Sequence, residues 1–247
     1  MKNLFPFLVI LLAFNSCNTD EEETTLNETT DTNTSICKIM PLGASRIEGA
    51  RPDYESFRYE LWKDLIDGGW SFDFIGAEND DASYPDYNST SFDKDHAGKG
   101  GFTSEQILNE IDDWLNEAGK PDIVLFSSPG GNDGLQNLPF SNAVSNINAI
   151  IDAIQEVNPN VIIFIEQMAP GHSEMMTDEF TDFTTKMQNE VATIALKQTT
   201  VTSKVIAIDM FTGFSDSMLA DDVHYNDSGA DFIAKKYYSE LIKVLEK

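Results

Sequence analysis

Basic residues are scarce in this chain: 16 Lys and Arg stand against 42 Asp and Glu, a formal net charge of −26 at pH 7. A field of that sign repels phosphates, so no nucleic acid is expected as a partner. Cysteine is scarcer still. Two residues, Cys17 and Cys37, cannot build a disulfide scaffold. Three scattered histidines, with no His-Glu-x-x-His pair and no cysteine cluster, point to no metal site. The apolar run Leu4–Phe14 is too short to span a bilayer stably. What is there is ordinary globular composition, 41% hydrophobic and 11% aromatic, which excludes wholesale disorder. A length of 247 residues suits one domain of about 200 residues with a sizeable core.

The first residues read as an address. Lys2 ahead of Leu4–Phe14 makes residues 1–16 an export signal. Asn15-Ser16-Cys17 resembles a bacterial lipoprotein cleavage site, with Phe14 and Asn15 departing from its usual Leu and small residue. The acidic run Asp20–Glu23 resembles the surface-export signal of Bacteroidetes lipoproteins. The expectation is a lipidated Cys17 that anchors the protein to the outer membrane, facing the cell surface. The alternative is a periplasmic protein, or a secreted one cut near Ser16. Residues 17–36, rich in Thr, Asn, Asp and Glu, cannot bury enough surface to order themselves and read as a tether. The domain then runs from 37 to 247. Most of the acids lie within it, which suits a soluble surface in salty surroundings. With Cys17 lipidated, Cys37 has no disulfide partner.

From Cys37 the pattern alternates. β-prone runs occupy 38–42, 70–75, 123–127, 161–166 and 204–208. Helical stripes lie between them: Phe57, Leu61 and Leu65; Ile107, Ile111, Trp114 and Leu115; Val144, Ile147, Ile151, Ile154 and Val157; Ile233, Tyr237, Leu241 and Val244. A further helix is expected over about 178–198. Thr103 with Gln106 fits a capping box, Ser141 is the expected cap of the next helix, and Asn158-Pro159 ends it. Strands alternating with helices predict an α/β fold, a three-layer α/β/α sandwich around a five-stranded parallel sheet. Ligands then sit outside the carboxyl ends of the strands, in the loops 43–53, 76–103, 128–140, 167–177 and 210–226.

Each of those loops holds a candidate group. Ser45 follows the first strand directly, where a hydroxyl stands exposed above the sheet; a structural Ser is the alternative. The run Gly98-Lys99-Gly100-Gly101 ends just before a helix and can turn a backbone N–H to a ligand, or can simply be flexible. Asn132, in Gly130-Gly131-Asn132-Asp133, offers a side-chain donor, though Asn-Asp beside Gly is also turn chemistry. A serine nucleophile needs a base, and His224 is the best placed of the three histidines. Asp221, three residues earlier, can reach back to its imidazole, while Asp222 points elsewhere. His96 and His172 are either solvated loop histidines or cleft-lining ones.

The four blocks occur in order across about 39–240 and resemble the SGNH, or GDSL-type, hydrolase superfamily. The nucleophile block falls on Pro41-Leu42-Gly43-Ala44-Ser45, the second-block glycine on Gly101, the Gly-x-Asn-Asp block on Gly130–Asp133, and the Asp-x-x-His block on Asp221 and His224. The setting of Ile39–Leu42 and of Ser56–Trp62 is most like the acetyl-xylan-esterase-like carbohydrate esterases. The family usually has Asp where Ala44 stands. The resemblance implies the flavodoxin-like SGNH fold and a serine esterase that needs no cofactor. Its triad would be Ser45, His224 and Asp221, and its oxyanion hole Ser45, Gly101 and Asn132.

The implied substrate is an acetylated polysaccharide or oligosaccharide. Alternatives are lysophospholipase, thioesterase or aryl-esterase activity on the same fold, and a non-catalytic glycan-binding lipoprotein. All three arginines, Arg46, Arg51 and Arg58, cluster just after Ser45. Arg58 is read as structural. Arg46 and Arg51 either recognise an anionic group on the glycan or pair locally with Glu48, Asp53 or Glu55. Tyr84, Tyr87, Phe92 and Phe102 are candidates for stacking on sugar rings.

Overall fold

The computed structural model describes residues 36–246. The signal, Cys17 and almost all of the tether lie outside the described residues. Strand β1 (Cys37–Gly43) leads into a one-turn helix α1 (Ser45–Glu48) and then α2 (Arg58–Asp67). Short strands β2 (Phe72–Phe74), β3 (Glu78–Asn79) and β4 (Asp95–Gly98) precede α3 (Ser104–Ala118). The chain continues through β5 (Ile123–Phe126), α4 (Gly131–Leu135), α5 (Phe140–Val157), β6 (Ile162–Gln167), α6 (Asp178–Gln198) and β7 (Lys204–Asp209). It ends in a 3₁₀ turn (Asp216–Met218) and α7 (Asp227–Leu241).

The strands bury both faces, and their alternation sorts the core into two halves. Met40, Leu42, Val124, Phe126, Ile163, Ile165 and Val205 face α3, α5 and α6. Ile39, Ile123, Leu125, Phe164 and Ile208 face α1, α2 and α7. Successive residues of a strand point to opposite faces, so a near-continuous apolar run such as Ile123-Val124-Leu125-Phe126 serves both helical layers. The result is the expected three-layer α/β/α sandwich.

The sheet has seven strands rather than five, in the order β3-β4-β1-β5-β6-β7, with β2 also pairing β1. The five expected strands are all present. The two additional ones lie in the stretch read as the 76–103 loop. They are two and four residues long, and Asp-His-Ala-Gly has no β-branched residue to mark it. β4 pairs with Leu42 and Gly43 at the far end of β1, while β2 pairs with Cys37–Ile39 at its beginning. The two short strands therefore share one lane, and among the described residues only β3 runs antiparallel. Gly76 makes the return possible, since a Cβ there would lie 1.9 Å from the His96 carbonyl carbon. Taken as one lane beside β1, β2 and β4 give the flavodoxin-like order, whose switch point lies between β1 and β5.

Local signals explain most element ends. Thr103 and Gln106 form the reciprocal capping box at the start of α3. α5 ends at Asn158, whose side-chain amide bonds the Pro121 carbonyl at 2.7 Å. Ser141 is not the cap of α5. The helix starts one residue earlier, behind Pro139, whose fixed φ suits a helix entrance without a side-chain cap.

Candidate active site

The site is built where β1 and β5 diverge. β1 ends at Gly43, where a Cβ would lie 2.9 Å from Ile47 Cγ1 and 3.0 Å from the Ser127 carbonyl oxygen, so the chain turns there without a side chain. The Ala44 carbonyl accepts from the Ile47 and Glu48 N–H groups, which winds α1 at once. Ser45 thus stands at the first position of that turn. Its Oγ lies 2.9 Å from His224 Nε2, and His224 Nδ1 lies 2.7 Å from Asp221 Oδ2. Asp221 Oδ1 accepts from the Val223 and His224 backbone N–H groups, at 2.9 and 2.7 Å. Burial works to raise the Asp221 pKa. The bonds from Val223 N–H and from His224 side chain and backbone outweigh it, and the net shift is downward.

A tyrosine completes the wall around the imidazole. Tyr54 stacks on His224, ring centroids 3.8 Å apart and planes 11° from parallel. The bond from Glu55 N–H to the Tyr225 carbonyl, 2.8 Å, joins the residue after each ring and holds the two loops together.

The opposite wall comes from the second and third loops. Glu48 accepts from the Gly100 N–H at 2.7 Å, which ties the glycine loop to the turn that carries Ser45. Gly101 has φ 78°, a left-handed conformation that favours glycine. Asn132 Nδ2 donates to the Phe102 carbonyl at 2.8 Å, leaving its second N–H for another acceptor. Ser45 and Asn132 line one cavity; Gly101 does not line it, and its neighbour Phe102 forms part of the wall.

Residues 65–232 match the GDSL-like lipase/acylhydrolase family model. The chain belongs to that family. The matched span contains Gly101, Asn132, Asp221 and His224, and Ser45 lies ahead of it. No curated protein matches. Among solved structures, a carbohydrate esterase family 3 protein from Talaromyces cellulolyticus is 27% identical with a TM-score of 0.72, over 84% of this chain and 97% of the other. A family 3 carbohydrate esterase from Clostridium thermocellum is 29% identical with a TM-score of 0.68, over 84% and 96%. A serine-to-alanine mutant of an acetyl esterase, solved with acetate ion, is 28% identical with a TM-score of 0.71, over 84% and 97%. The GDSL-family chain is a carboxylic ester hydrolase.

The residues read as substrate contacts fare differently. Arg46 is buried. It donates to the Val223, Ala169 and Pro170 carbonyls and to Ser128 Oγ, at 2.9–3.2 Å, and stacks on Tyr225. It is a brace between loops, paired with none of the three acids considered for it. Arg51 takes the local alternative, 3.2 Å from Glu55 and over the rings of Tyr59 and Tyr84. His96 is no cleft residue. It lies buried in β4, accepts from the Gly98 N–H through Nδ1, and is held neutral by burial and by Arg58, with its pKa lowered to about 2. His172 lies outside the cavity wall, 3.7 Å from Asp216. Tyr84, Phe92 and Tyr59 pack on one another, and Tyr87 bonds Asp67, so that cluster is occupied by the protein itself. Phe102 alone of the four reaches the cavity. Arg58 is fully buried on Asp80 and three carbonyls, as a structural residue.

Besides Tyr54, a second functional support was not read from the sequence. Glu166, fully buried at the end of β6, accepts from Ser127 Oγ, Ser128 N–H and Ser128 Oγ. It fixes the loop after β5, in which Ser128 adopts a positive φ of 46°. A carboxylate closing the apolar run Ile162–Ile165 was the available signal.

Proposed function

We propose that this ester hydrolase removes acyl groups, chiefly acetyl, from a carbohydrate, an acetylated polysaccharide or oligosaccharide. The observation that carries the reading is the hydrogen-bonded series Ser45–His224–Asp221, at 2.9 and 2.7 Å, at the mouth of a cavity. Its support for acetyl and for carbohydrate comes from the two family 3 carbohydrate esterases and the acetyl esterase it resembles.

In the proposed reaction Ser45 Oγ attacks the ester carbonyl while His224 Nε2 takes its proton. The oxyanion is held by the Ser45 and Gly101 backbone N–H groups and by the free Asn132 N–H. His224 then protonates the leaving sugar alkoxide, and the acyl group remains on Ser45. Water attacks the acyl-enzyme, His224 takes its proton, and Ser45 is restored as the carboxylic acid leaves. Asp221 holds the imidazole tautomer with the proton on Nδ1 and stabilises the imidazolium. Each oxyanion donor is worth about 10²–10³ in kcat.

Hydrolysis of p-nitrophenyl acetate by the wild type and by Ser45→Ala, His224→Ala and Asn132→Ala tests the chemistry. Ser45→Ala retaining most of the activity sinks the assignment. Acetate release from neutral and acidic acetylated polysaccharides tests the substrate class. The proposed lipid anchor on Cys17 predicts fatty-acid labelling in cells that Cys17→Ser abolishes.

A further inference from the structure

The cavity at Ser45 is walled in part by α3, α4 and α6. Beyond the nucleophile its wall is mainly apolar: Ile107 from α3, Leu135 from α4, Met168 after β6, and Phe180 and Thr184 from α6. Ile107 and Thr184 are buried. An acyl group whose carbonyl oxygen points to Asn132 can send its alkyl end along this apolar wall.

Its size sets what fits. The cavity holds about 50 Å³. An apolar cavity of about 150 Å³ takes benzene, six carbons. A third of that volume admits one or two carbons past the carbonyl. The wall is also hard to displace. A Cβ at Gly134 would lie 2.7 Å from Phe183 Cδ1 and 3.0 Å from Phe180 Cε2, so α4 and α6 already touch ring to backbone. Phe180 cannot retreat toward α4 to admit a longer chain.

We infer that Phe180 and Thr184 set the acyl-chain length, admitting acetyl and propionyl and rejecting butyryl and longer groups. This rests on the esterase reading above and adds to it the residues that choose the acyl group. A methylene in a shaped pocket discriminates by roughly 10-fold or more.

The test compares kcat/KM for p-nitrophenyl acetate, propionate, butyrate and hexanoate. The wild type is expected to turn over acetate and propionate within about threefold of each other and butyrate at least about tenfold more slowly. Phe180→Ala, which opens the side wall, should raise the butyrate-to-acetate ratio at least about tenfold. Thr184→Ile, which adds bulk to the wall, should lower the propionate-to-acetate ratio by a similar factor. Ratios within one protein are insensitive to partial misfolding; if Phe180→Ala is insoluble, Phe180→Leu reads the same ratio. Wild-type activity on hexanoate equal to that on acetate overturns the inference, as do unchanged ratios in the soluble variants. Absence of turnover of all four esters by the wild type overturns the esterase reading itself.

Discussion

The Tyr54 ring lies flat on the His224 imidazole, 3.8 Å away and 11° from parallel. Burial, then the carboxylates of Glu48, Asp221 and Asp53, raise the Tyr54 pKa, so its hydroxyl stays protonated at neutral pH and the ring presents a neutral face. The contact restricts the imidazole to the plane in which Nε2 meets Ser45 and Nδ1 meets Asp221. Aromatic pairs of this kind contribute about 0.5–1.5 kcal/mol. Tyr54→Ala should therefore lower kcat/KM up to about tenfold. Tyr54→Phe, which keeps the ring and loses the hydroxyl, should stay near wild type. A drop in Tyr54→Phe equal to that in Tyr54→Ala would assign the effect to the hydroxyl and refute the stacking argument.

Arg46 follows the nucleophile and bonds three of the other strand-end loops at once, through Ser128, Ala169, Pro170 and Val223. Ala44 offers no side-chain bond beside the nucleophile, and this guanidinium ties the Ser45 turn to the other loops. Removing it leaves buried carbonyls unpaired, each costing about 1–3 kcal/mol. Arg46→Ala should lower the unfolding free energy by at least about 3 kcal/mol in urea titration. Arg46→Lys should recover only part of that, because one ammonium cannot reach acceptors spread across a planar fork. Full recovery by lysine would show that charge, not geometry, is what the site uses.

How much of this was legible beforehand depends on how local each signal is. The five expected strands, β1, β2, β5, β6 and β7, and the helical layers follow from periodicity, because a strand buried between two layers must be apolar and a covering helix must carry a stripe. β3 and β4 escaped because they are stabilised by a lane left open beside β1, a tertiary circumstance that Asp-His-Ala-Gly does not announce. The same error misplaced His96, which as a loop residue would face solvent and as a strand residue is buried. Ser45, Asp221 and His224 were found because their motif spacing is local to single loops. Arg46, Glu166 and Tyr54 act across loops: Arg46 was seen but read as a contact to an anion or to a nearby acid, and Glu166 and Tyr54 were not singled out. What an arginine or a buried glutamate bonds is fixed by which loops meet at the sheet edge, and no spacing within one loop encodes that.

Glu166 gives a prediction of opposite sign to the usual carboxylate. Burial raises its pKa above the ordinary value of 4.5, against the bonds from Ser128 and Ser127, the nearby Tyr237 hydroxyl and the charge of Arg46, which act to lower it. A carboxyl group whose folded pKa lies above its unfolded one binds its proton more tightly when folded. Its contribution to stability is complete below the unfolded value and is lost as pH rises toward the folded pKa. Glu166→Gln does not titrate and can keep an oxygen where Oε2 accepts its three bonds. The Tm of Glu166→Gln relative to wild type should therefore rise as pH is taken from 4 to 8. A difference that stays constant across that range would show that Glu166 is as readily ionised in the folded protein as in the unfolded chain.

Asp221 behaves in the ordinary direction, and there activity and stability separate. Its folded pKa lies below the ordinary value of 3.8, burial being outweighed by the bonds it accepts from Val223 and His224. Its stabilising effect is present above that unfolded value and disappears as pH falls through the folded one. The side chain is about half exposed, 51%, so the effect on stability is small. Asp221→Asn should thus melt slightly below wild type at pH 6, and the gap should narrow as pH is taken down to 3. Its kcat/KM at pH 7 should fall far more, by about 10⁴, because an amide facing Nδ1 favours the tautomer that puts a proton on Nε2, where the base must accept one. Circular-dichroism melts at both pH values, with p-nitrophenyl acetate kinetics at pH 7, read the two effects independently. An Asp221→Asn protein within tenfold of wild-type kcat/KM would remove the carboxylate from the mechanism, whatever its melting behaviour.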